Sequence, residues 1–398
     1  MSQKGYTLSF MLLCVIGLFA MLSTSLVNPL LSIFSKSLGA SGATIGLSVI
    51  GYWVARVLLE IPSGFISAKY GYYWPMTLGL VFTALGTLWM AFVTDWVGLF
   101  FARALQGIGA PLFFAVSMTM VVNMFGSDKR GSAMGLFQGV EFGGTILGSS
   151  LSGLIITQYG FYGGFIISTI MCIFAVLLIL APQVRNDALA LPKTKIPKIS
   201  DVTKVFSNKT LLIVSFATFA EFIMSNGVIY TMYPLYAKDN LGLSLTEIGL
   251  IQGVRSAGYV LALLTMGSIS DRVGRKPVLI AGMASTAVII VSLGYVSGIF
   301  PIAGFIFLLG ATTGTIWIIC PVLASESVAP EFRGAAIGIY RTFFDLGSIV
   351  GPIIIMWVLT AYGSIYCFYV ASAFLIITLI PCFSLKETKL TKPNDLVH

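Results

Sequence analysis

Apolar residues in this chain come in stretches of about twenty, one after another, with only short polar breaks between them. Each stretch is long enough to cross the hydrocarbon core of a bilayer as a helix, the form in which every backbone group is bonded internally. The pattern predicts spans at 8–35, 42–68, 73–93, 96–123, 133–157 and 161–181, then 210–236, 244–270, 276–297, 299–324, 334–360 and 363–384. The one sizeable break, 186–208, carries Pro192, Pro197 and a run of lysines without apolar periodicity. It reads as a cytoplasmic linker, with room for one short surface helix. The expected architecture is therefore an all-α membrane protein of twelve transmembrane helices in two pseudo-symmetric six-helix bundles, residues 1–185 and 209–398, joined by 186–208.

The two halves carry the same punctuation at a constant spacing of 203 residues. Gly64, Gly71, Arg130, Gly131, Gly135, Gly144, Gly148 and Gly160 find Gly267, Gly274, Arg333, Gly334, Gly338, Gly347, Gly351 and Gly363. A multi-helix membrane unit built twice is the signature of a transporter whose halves rock around a central site.

Composition agrees with the spans. The chain is 57% hydrophobic and only 10% charged, whereas a soluble domain needs roughly 25% charged residues. With both termini in the cytoplasm, inner loops and tails hold seventeen of the 23 Lys and Arg, outer loops only Lys36 and Lys238, and four arginines lie within the membrane. That is the positive-inside distribution of a multi-pass protein of the plasma membrane. The net charge of +8 then reads as topology and attraction to anionic lipid, not nucleic-acid binding. The first helix runs too long for a signal peptide, lacks a small-residue cleavage site and belongs to the first repeat. Cys14, Cys172, Cys320, Cys367 and Cys382 lie in or at the ends of spans without metal or disulfide spacing, and read as small packing residues. No soluble segment is long enough to carry chemistry and no phosphate-cradling loop is present, so neither an ATPase nor another enzyme, and no cofactor or metal, is expected.

Charges inside the spans are few, and each costs roughly 2.5–3.5 kcal/mol at a helix centre. They are Arg56 and Glu60 on helix 2, Arg103 on helix 4, Glu141 on helix 5, Glu221 on helix 7, Arg255 on helix 8, and Arg341 and Asp345 on helix 11. At 1.5 Å per residue, Glu60 lies roughly 12 Å from the inner surface, Glu141, Glu221, Asp345 and Arg56 about 15–18 Å, and Arg255 nearer 22 Å. Arg341 is shallower, and Arg103 sits in the outer third with no acid at its depth. Arg56–Glu60 and Arg341–Asp345 are i,i+4 pairs that share a helix face, and structural ion pairing is their plain reading. Glu141 and Glu221 have no base on their own helix, and burial disfavours the charged form of a carboxyl group. They are the first candidates for proton or substrate handling, against a hydrogen-bonded packing role. Arg255 is either the counter-ion of Glu221 or an anion ligand. The only histidine, His398, stands at the end of the chain, so a proton relay would fall to carboxylates. Asn28, Asn226, Gln138, Gln252, Tyr230, Tyr233, Trp317 and Tyr340 suit a cavity for an amphipathic organic molecule, with plain packing as the alternative for each.

Residues Gly267–Lys276, GSISDRVGRK, closely resemble the signature loop of the major facilitator superfamily, Gly-x-x-x-Asp-Arg-x-Gly-Arg-Lys. The resemblance implies an inner gate in which Gly267 and Gly274 permit close contact, Asp271 pairs across the halves in one state, and Arg272, Arg275 and Lys276 anchor the loop inside. The first-half equivalent, Gly64–Trp74, keeps Gly64 and Gly71 but has Ala68 in place of the Asp. Leu99–Ala110, LFFARALQGIGA, is similar to the helix 4 motif of proton-coupled drug antiporters, on Arg103, Gln106 and Gly107. Gly144–Gly153 resembles their glycine-rich helix 5 motif, with Ser149 where Pro is expected; the Pro stands instead in the second repeat, at Pro352. Close helix packing is the alternative reading of the glycines. In the family fold, helices 3, 6, 9 and 12 face lipid and the others line the cavity, and those four helices carry none of the charges.

The resemblance implies a secondary transporter of a small organic solute working by alternating access, with proton-coupled efflux leading and uptake of a small organic anion or sugar as the alternative. A non-transporting receptor or a lipid flippase is a third class. A monomer in the bilayer, with protons as coupling ion, completes the expectation.

Overall fold

The computed structural model describes residues 7–126, 129–191, 205–329 and 332–385. Most of the expected linker (192–204, with Pro192, Pro197, Lys193, Lys195, Lys198 and Lys204) lies outside the described residues, as do Lys4, Lys386, Lys389, Lys392 and His398. The described chain is helical. In the first half α1 is Leu8–Ser37, α2 Ala43–Tyr70, α3 Tyr73–Met90 and α4 Trp96–Met124. One continuous run, Arg130–Ile179, is broken by Gly160 into α5 (130–159) and α6 (161–179). In the second half α7 is Lys209–Asp239, α8 Leu245–Val273, α9 Arg275–Leu293, α10 Ile299–Glu326, α11 Arg333–Tyr362 and α12 Ser364–Cys382. The molecule is thus the twelve-helix, six-plus-six bundle read from the apolar pattern. The short helix Pro182–Ala190 buries Val184 and Ala188 against Phe10 and Phe125 of the first half, so the chain stays with that half past residue 185.

The repeat explains where helices stop. Gly71 (φ 82°) ends α2 and its partner Gly274 (φ 114°) ends α8. Gly160 (φ 67°) separates α5 from α6 as Gly363 (φ 95°) separates α11 from α12. A left-handed residue costs a side-chain-bearing L residue but not glycine, so one backbone turn is specified twice by the same residue. Starts are set by side-chain caps: Asp95 accepts from Gly98 N, Asn208 from Leu211 N, and Ser244 forms a reciprocal box with Glu247.

Other glycines set helix spacing. A Cβ on Gly148 of α5 would lie 2.7 Å from Leu22 O of α1, and one on its partner Gly351 of α11 2.7 Å from Ile223 O of α7. Gly107 of α4 lies against the backbone of Tyr52, and its partner Gly310 of α10 against that of Arg255, themselves 203 residues apart. These contacts need glycine because a methyl group would not fit. All five cysteines are free and buried, in keeping with packing.

The apolar cores differ between the two ends of the bundle. Phe10, Met76, Phe137 and their neighbours form a core from the first half alone, and Val214, Leu279, Leu323 and theirs one from the second half alone. A third core joins the halves, with Leu30, Ile33 and Ile45 packed among Met224, Ile229 and Ile355. It lies at the end where Lys36 pairs with Asp239 at 2.7 Å and where a Cβ on Gly249 of α8 would meet Gly153 N of α5 at 2.6 Å. That end is shut. At the other end Gly64, Gly131, Gly135, Gly267, Gly334 and Gly338 have nothing within 4 Å of where a Cβ would stand. Around the bundle, Trp74, Leu78 and Trp89 of α3, Ile170 and Leu177 of α6, Val288 of α9 and Ile377 and Ile380 of α12 are exposed, a lipid-facing surface made by helices without internal charge.

Candidate functional site

A cavity of about 290 Å³ lies between the halves and is lined from α1, α2, α4, α5, α7, α8, α10 and α11, with nothing from α3, α6, α9 or α12. Three of its helices leave regular α winding beside it: α1 through a 3₁₀ turn at Asn28–Leu30, α4 through a π turn at Pro111–Ala115, and α7 through a π segment, Ile223–Met232. Such windings free backbone groups and re-aim side chains, which is why they gather at functional sites.

Six of the eight charges read from the sequence line the cavity: Arg56, Arg103, Glu141, Glu221, Arg255 and Arg341. Glu60 and Asp345 are buried behind it. Four of the eight form one cluster between the halves. Arg56 Nε lies 3.5 Å from Glu60 Oε2 on its own helix and 3.5 Å from Asp345 Oδ1 on α11, while Arg341 Nε reaches back to Glu60 Oε1 at 2.5 Å. The i,i+4 pairing expected for Arg341 with Asp345 is not made; both reach across to α2 instead. The reason is register: α2 and α11 pack with Glu60 level with Arg341, so each charge finds an opposite one on the neighbouring helix. The Arg56 guanidinium also stands over the rings of Phe344 (4.5 Å) and Trp53 (5.3 Å).

The other four charges are held separately. Arg103 donates to Asn28 Oδ1 at 3.1 Å and to Gln106, which donates to Thr87 at 3.0 Å, and it lies 4.8 Å from the centroid of Tyr52. Arg255 donates to Ser225 Oγ (2.9 Å) and Tyr230 Oη (2.8 Å), and Ser225 donates to Glu221 Oε1 at 2.6 Å. Arg255 and Glu221 are thus joined through a hydroxyl, not as the direct counter-ions considered from the sequence. Glu141 packs against Gly17 of α1, and its Oε1 is buried without a hydrogen-bond partner.

Of the polar and aromatic candidates, Asn28, Asn226, Gln138, Tyr230 and Trp317 line the cavity. Gln252, Tyr233 and Tyr340 do not: Gln252 is spent on Ile229 O at 2.9 Å, and the two tyrosines are core residues. The gate loop has Asp271 half exposed and 3.6 Å from Arg275, which also pairs with Glu326, all within one half. Lys276 anchors to Phe383 O at 2.7 Å. Asp271 makes no pairing across the halves among the described residues. No three of His, Cys, Asp and Glu gather as a metal site among the described residues.

Tyr52, Phe142, Tyr259 and Phe344 were not candidates, yet all four line the cavity. Phe344 meets Phe222, Trp53 and Trp317 edge to face, and Phe142 lies 5.3 Å from Tyr259. A signal for them exists: they stand 203 residues from Arg255, Asp345, Arg56 and Glu141, respectively. Carrying each charge to its repeat partner would have found them.

A family model described as Major Facilitator Superfamily matches residues 13–225 and 214–397. An uncharacterized MFS-type transporter of Methanocaldococcus jannaschii is 22% identical over 354 residues, 84% of this chain and 86% of that protein. Multidrug resistance protein MdtG of Salmonella typhi is 24% identical over 358 residues, 86% of this chain and 87% of that one. Among solved structures, a mutant of the nucleoside transporter NupG superposes with a TM-score of 0.75 at 16% identity, over 94% of this chain and 99% of that one. A bacterial homolog of the human lysosomal transporter Spinster superposes with a TM-score of 0.78 at 13% identity, over 96% and 97%.

Proposed function

This chain belongs to the major facilitator superfamily, and from that premise we propose that it moves a small amphipathic organic solute across the plasma membrane by alternating access, coupled to protons and in the direction of efflux. The observation that carries the reading is the cavity itself: shut at one end, walled by both halves, and holding two carboxylates, Glu141 and Glu221, with no base in direct contact. Such groups change charge by binding one proton, and their charge alters the cost of closing a dry cavity around a solute. Efflux is supported by the helix 4 motif on Arg103, Gln106 and Gly107, and by the likeness to a multidrug resistance protein.

The moving bodies are residues 1–185, with the short helix Pro182–Ala190 packed on them, and 209–398, the rest of 186–208 serving as the cytoplasmic linker. Both termini lie in the cytoplasm by the positive-inside argument, so the unpacked end opens inward. One chain supplies every wall of the cavity, which supports a monomer. The second reading, uptake of a small organic anion or sugar, is favoured by Arg103, which lines the cavity among neutral groups, and by Arg255, which reaches Glu221 only through the Ser225 hydroxyl.

Proteoliposomes loaded with a pH-sensitive dye test this. Offered a panel of amphipathic cations, amphipathic anions and sugars, the native chain is expected to show solute-driven proton movement that Glu221→Gln abolishes. Unchanged coupling in the variant removes Glu221 from the role. Solute movement without proton movement removes coupling altogether. The sign of the proton flux separates exchange from co-transport.

A further inference from the structure

Arg103 and Arg255 are buried in opposite halves of the molecule, at 4% and 5% exposure, and both face the same cavity. Among the described residues neither lies within 4.0 Å of a carboxylate oxygen, and the Nε of each lacks a hydrogen-bond partner. Each is instead held by neutral groups: Asn28, Gln106 and the Tyr52 ring for Arg103, and Ser225, Tyr230 and the Tyr230 ring for Arg255. A buried guanidinium with a spare donor and no anion in direct contact, Arg255 meeting Glu221 only through Ser225, is costly unless something negative arrives. The remaining arginines are not in this position, because Arg56 and Arg341 are matched by Glu60 and Asp345.

We infer that the cavity takes an organic anion with a flat apolar body, its acidic group held between Arg103 and Arg255, and that protonation of Glu141 and Glu221 strengthens this binding, so that anion and protons load together. The charge count gives the sign. With both acids ionised, four arginines face four carboxylates and the site is neutral in sum. Each proton that moves from water onto a carboxylate oxygen leaves one guanidinium unmatched. Linkage then makes the effect reciprocal: the anion draws in protons as the protons draw in the anion.

The groups around the two acids leave this sign intact. Glu141 faces Cys14 of α1 and no charged group within ion-pair distance. Glu221 faces Ser225 on its own helix, Arg255 and Tyr259 of α8, Cys320 of α10 and Tyr340 of α11, of which only Arg255 is charged. The apolar body has its surfaces in Trp53, Phe222, Trp317 and Phe344, whose rings pack edge to face around one side of the cavity. This inference sides with the second reading, co-transport of an organic anion with protons, against proton-driven efflux; it rests on the transport reading for its purpose, but its test is a binding measurement and needs no transport.

The test uses the purified full chain with 1-naphthoate as probe and the neutral 1-naphthamide and cationic 1-naphthylmethylammonium beside it, read by quenching of Trp53 and Trp317. Naphthoate stays ionised between about pH 6 and about pH 8, so any pH effect belongs to the protein. We expect naphthoate to bind best and about tenfold or more tightly at the lower pH. Glu141→Gln with Glu221→Gln is expected to give tight binding at both values. Arg103→Gln and Arg255→Gln should each lose about tenfold or more, and Arg255→Lys should recover part of it. Preference for the cation, no naphthoate binding at either pH, or weaker binding in the glutamine variants overturns the inference. Binding as expected without any flux in proteoliposomes would instead count against the transport reading, and flux of cations alone would count against this one.

Discussion

At the scale of single residues, the four charges between α2 and α11 show what a sequence can and cannot say. Arg56, Glu60, Arg341 and Asp345 announced themselves as charges in apolar runs, and their depth followed from helical rise. The Arg56–Glu60 pair was legible too, from its i,i+4 spacing; the partners across the halves were not, because which residue of α11 stands level with which of α2 is set by packing and written in neither helix. The cluster links the halves through ions that are almost wholly out of water: Asp345 is 0% exposed. Removing one member of such a network leaves a buried charge unmatched, which costs about 3–5 kcal/mol, whereas removing both members of a pair costs far less. Asp345→Asn is therefore expected to lower the melting temperature of the purified protein sharply, and Arg56→Gln to do the same. The double variant should recover most of the loss. Additive losses in that cycle would mean that Arg56 and Asp345 do not act as a pair.

At the scale of helices, the glycines of the repeat divide into two groups. Most of the twelve spans, and the breaks at Gly160 and Gly363, were legible because membrane spans declare themselves by length and a left-handed turn demands glycine. The π winding of Ile223–Met232 in α7 was not, since a one-residue change of pitch leaves the apolar pattern unaltered. Gly107, Gly144, Gly148, Gly310, Gly347 and Gly351 are already in contact with a neighbouring backbone. Gly131 and Gly135 of α5, with Gly334 and Gly338 of α11, are not. Glycine inside a helix costs roughly 0.5–1 kcal/mol relative to alanine, so Gly135 and Gly338, uncontacted at repeat-equivalent positions inside α5 and α11, call for a use. Closure of the open end supplies one, by letting backbones approach. Gly148→Val should thus destabilise the fold by about 1–3 kcal/mol through overpacking. Gly135→Ala with Gly338→Ala should leave the melting temperature unchanged or slightly raised, yet slow solute movement. If that variant transports at the native rate, the glycines are not reserved for closure.

At the scale of the whole molecule, the scaffold is duplicated but its charges are not. Carried across the repeat, Arg56, Glu60, Arg103, Glu141, Glu221, Arg255, Arg341 and Asp345 land on Tyr259, Leu263, Ile306, Phe344, Leu18, Tyr52, Gln138 and Phe142. The two-fold frame supplies hinges and close contacts equally to both halves, while the chemistry is distributed unequally over it. The α2–α11 contact is ionic where the equivalent contact between α5 and α8 is a pair of rings, Phe142 and Tyr259. A frame of this kind can open at either end, and at the shut end one polar contact joins repeat-equivalent positions: Lys36 of α1 and Asp239 of α7, 203 residues apart. The pair is about half exposed, so it is worth no more than about 1 kcal/mol and weakens with salt. Neutralising it with Lys36→Gln should change transport less than about fivefold. A covalent link is different in kind, because it forbids separation instead of opposing it weakly. With Lys36→Cys and Asp239→Cys joined by a short bifunctional maleimide, which the five buried native cysteines leave free to react there, transport should stop while binding from the open end persists. The same double variant left unlinked should transport. Sustained transport through the linked protein would mean that the shut end never needs to open, and the rocking of two halves about the cavity would have to be abandoned.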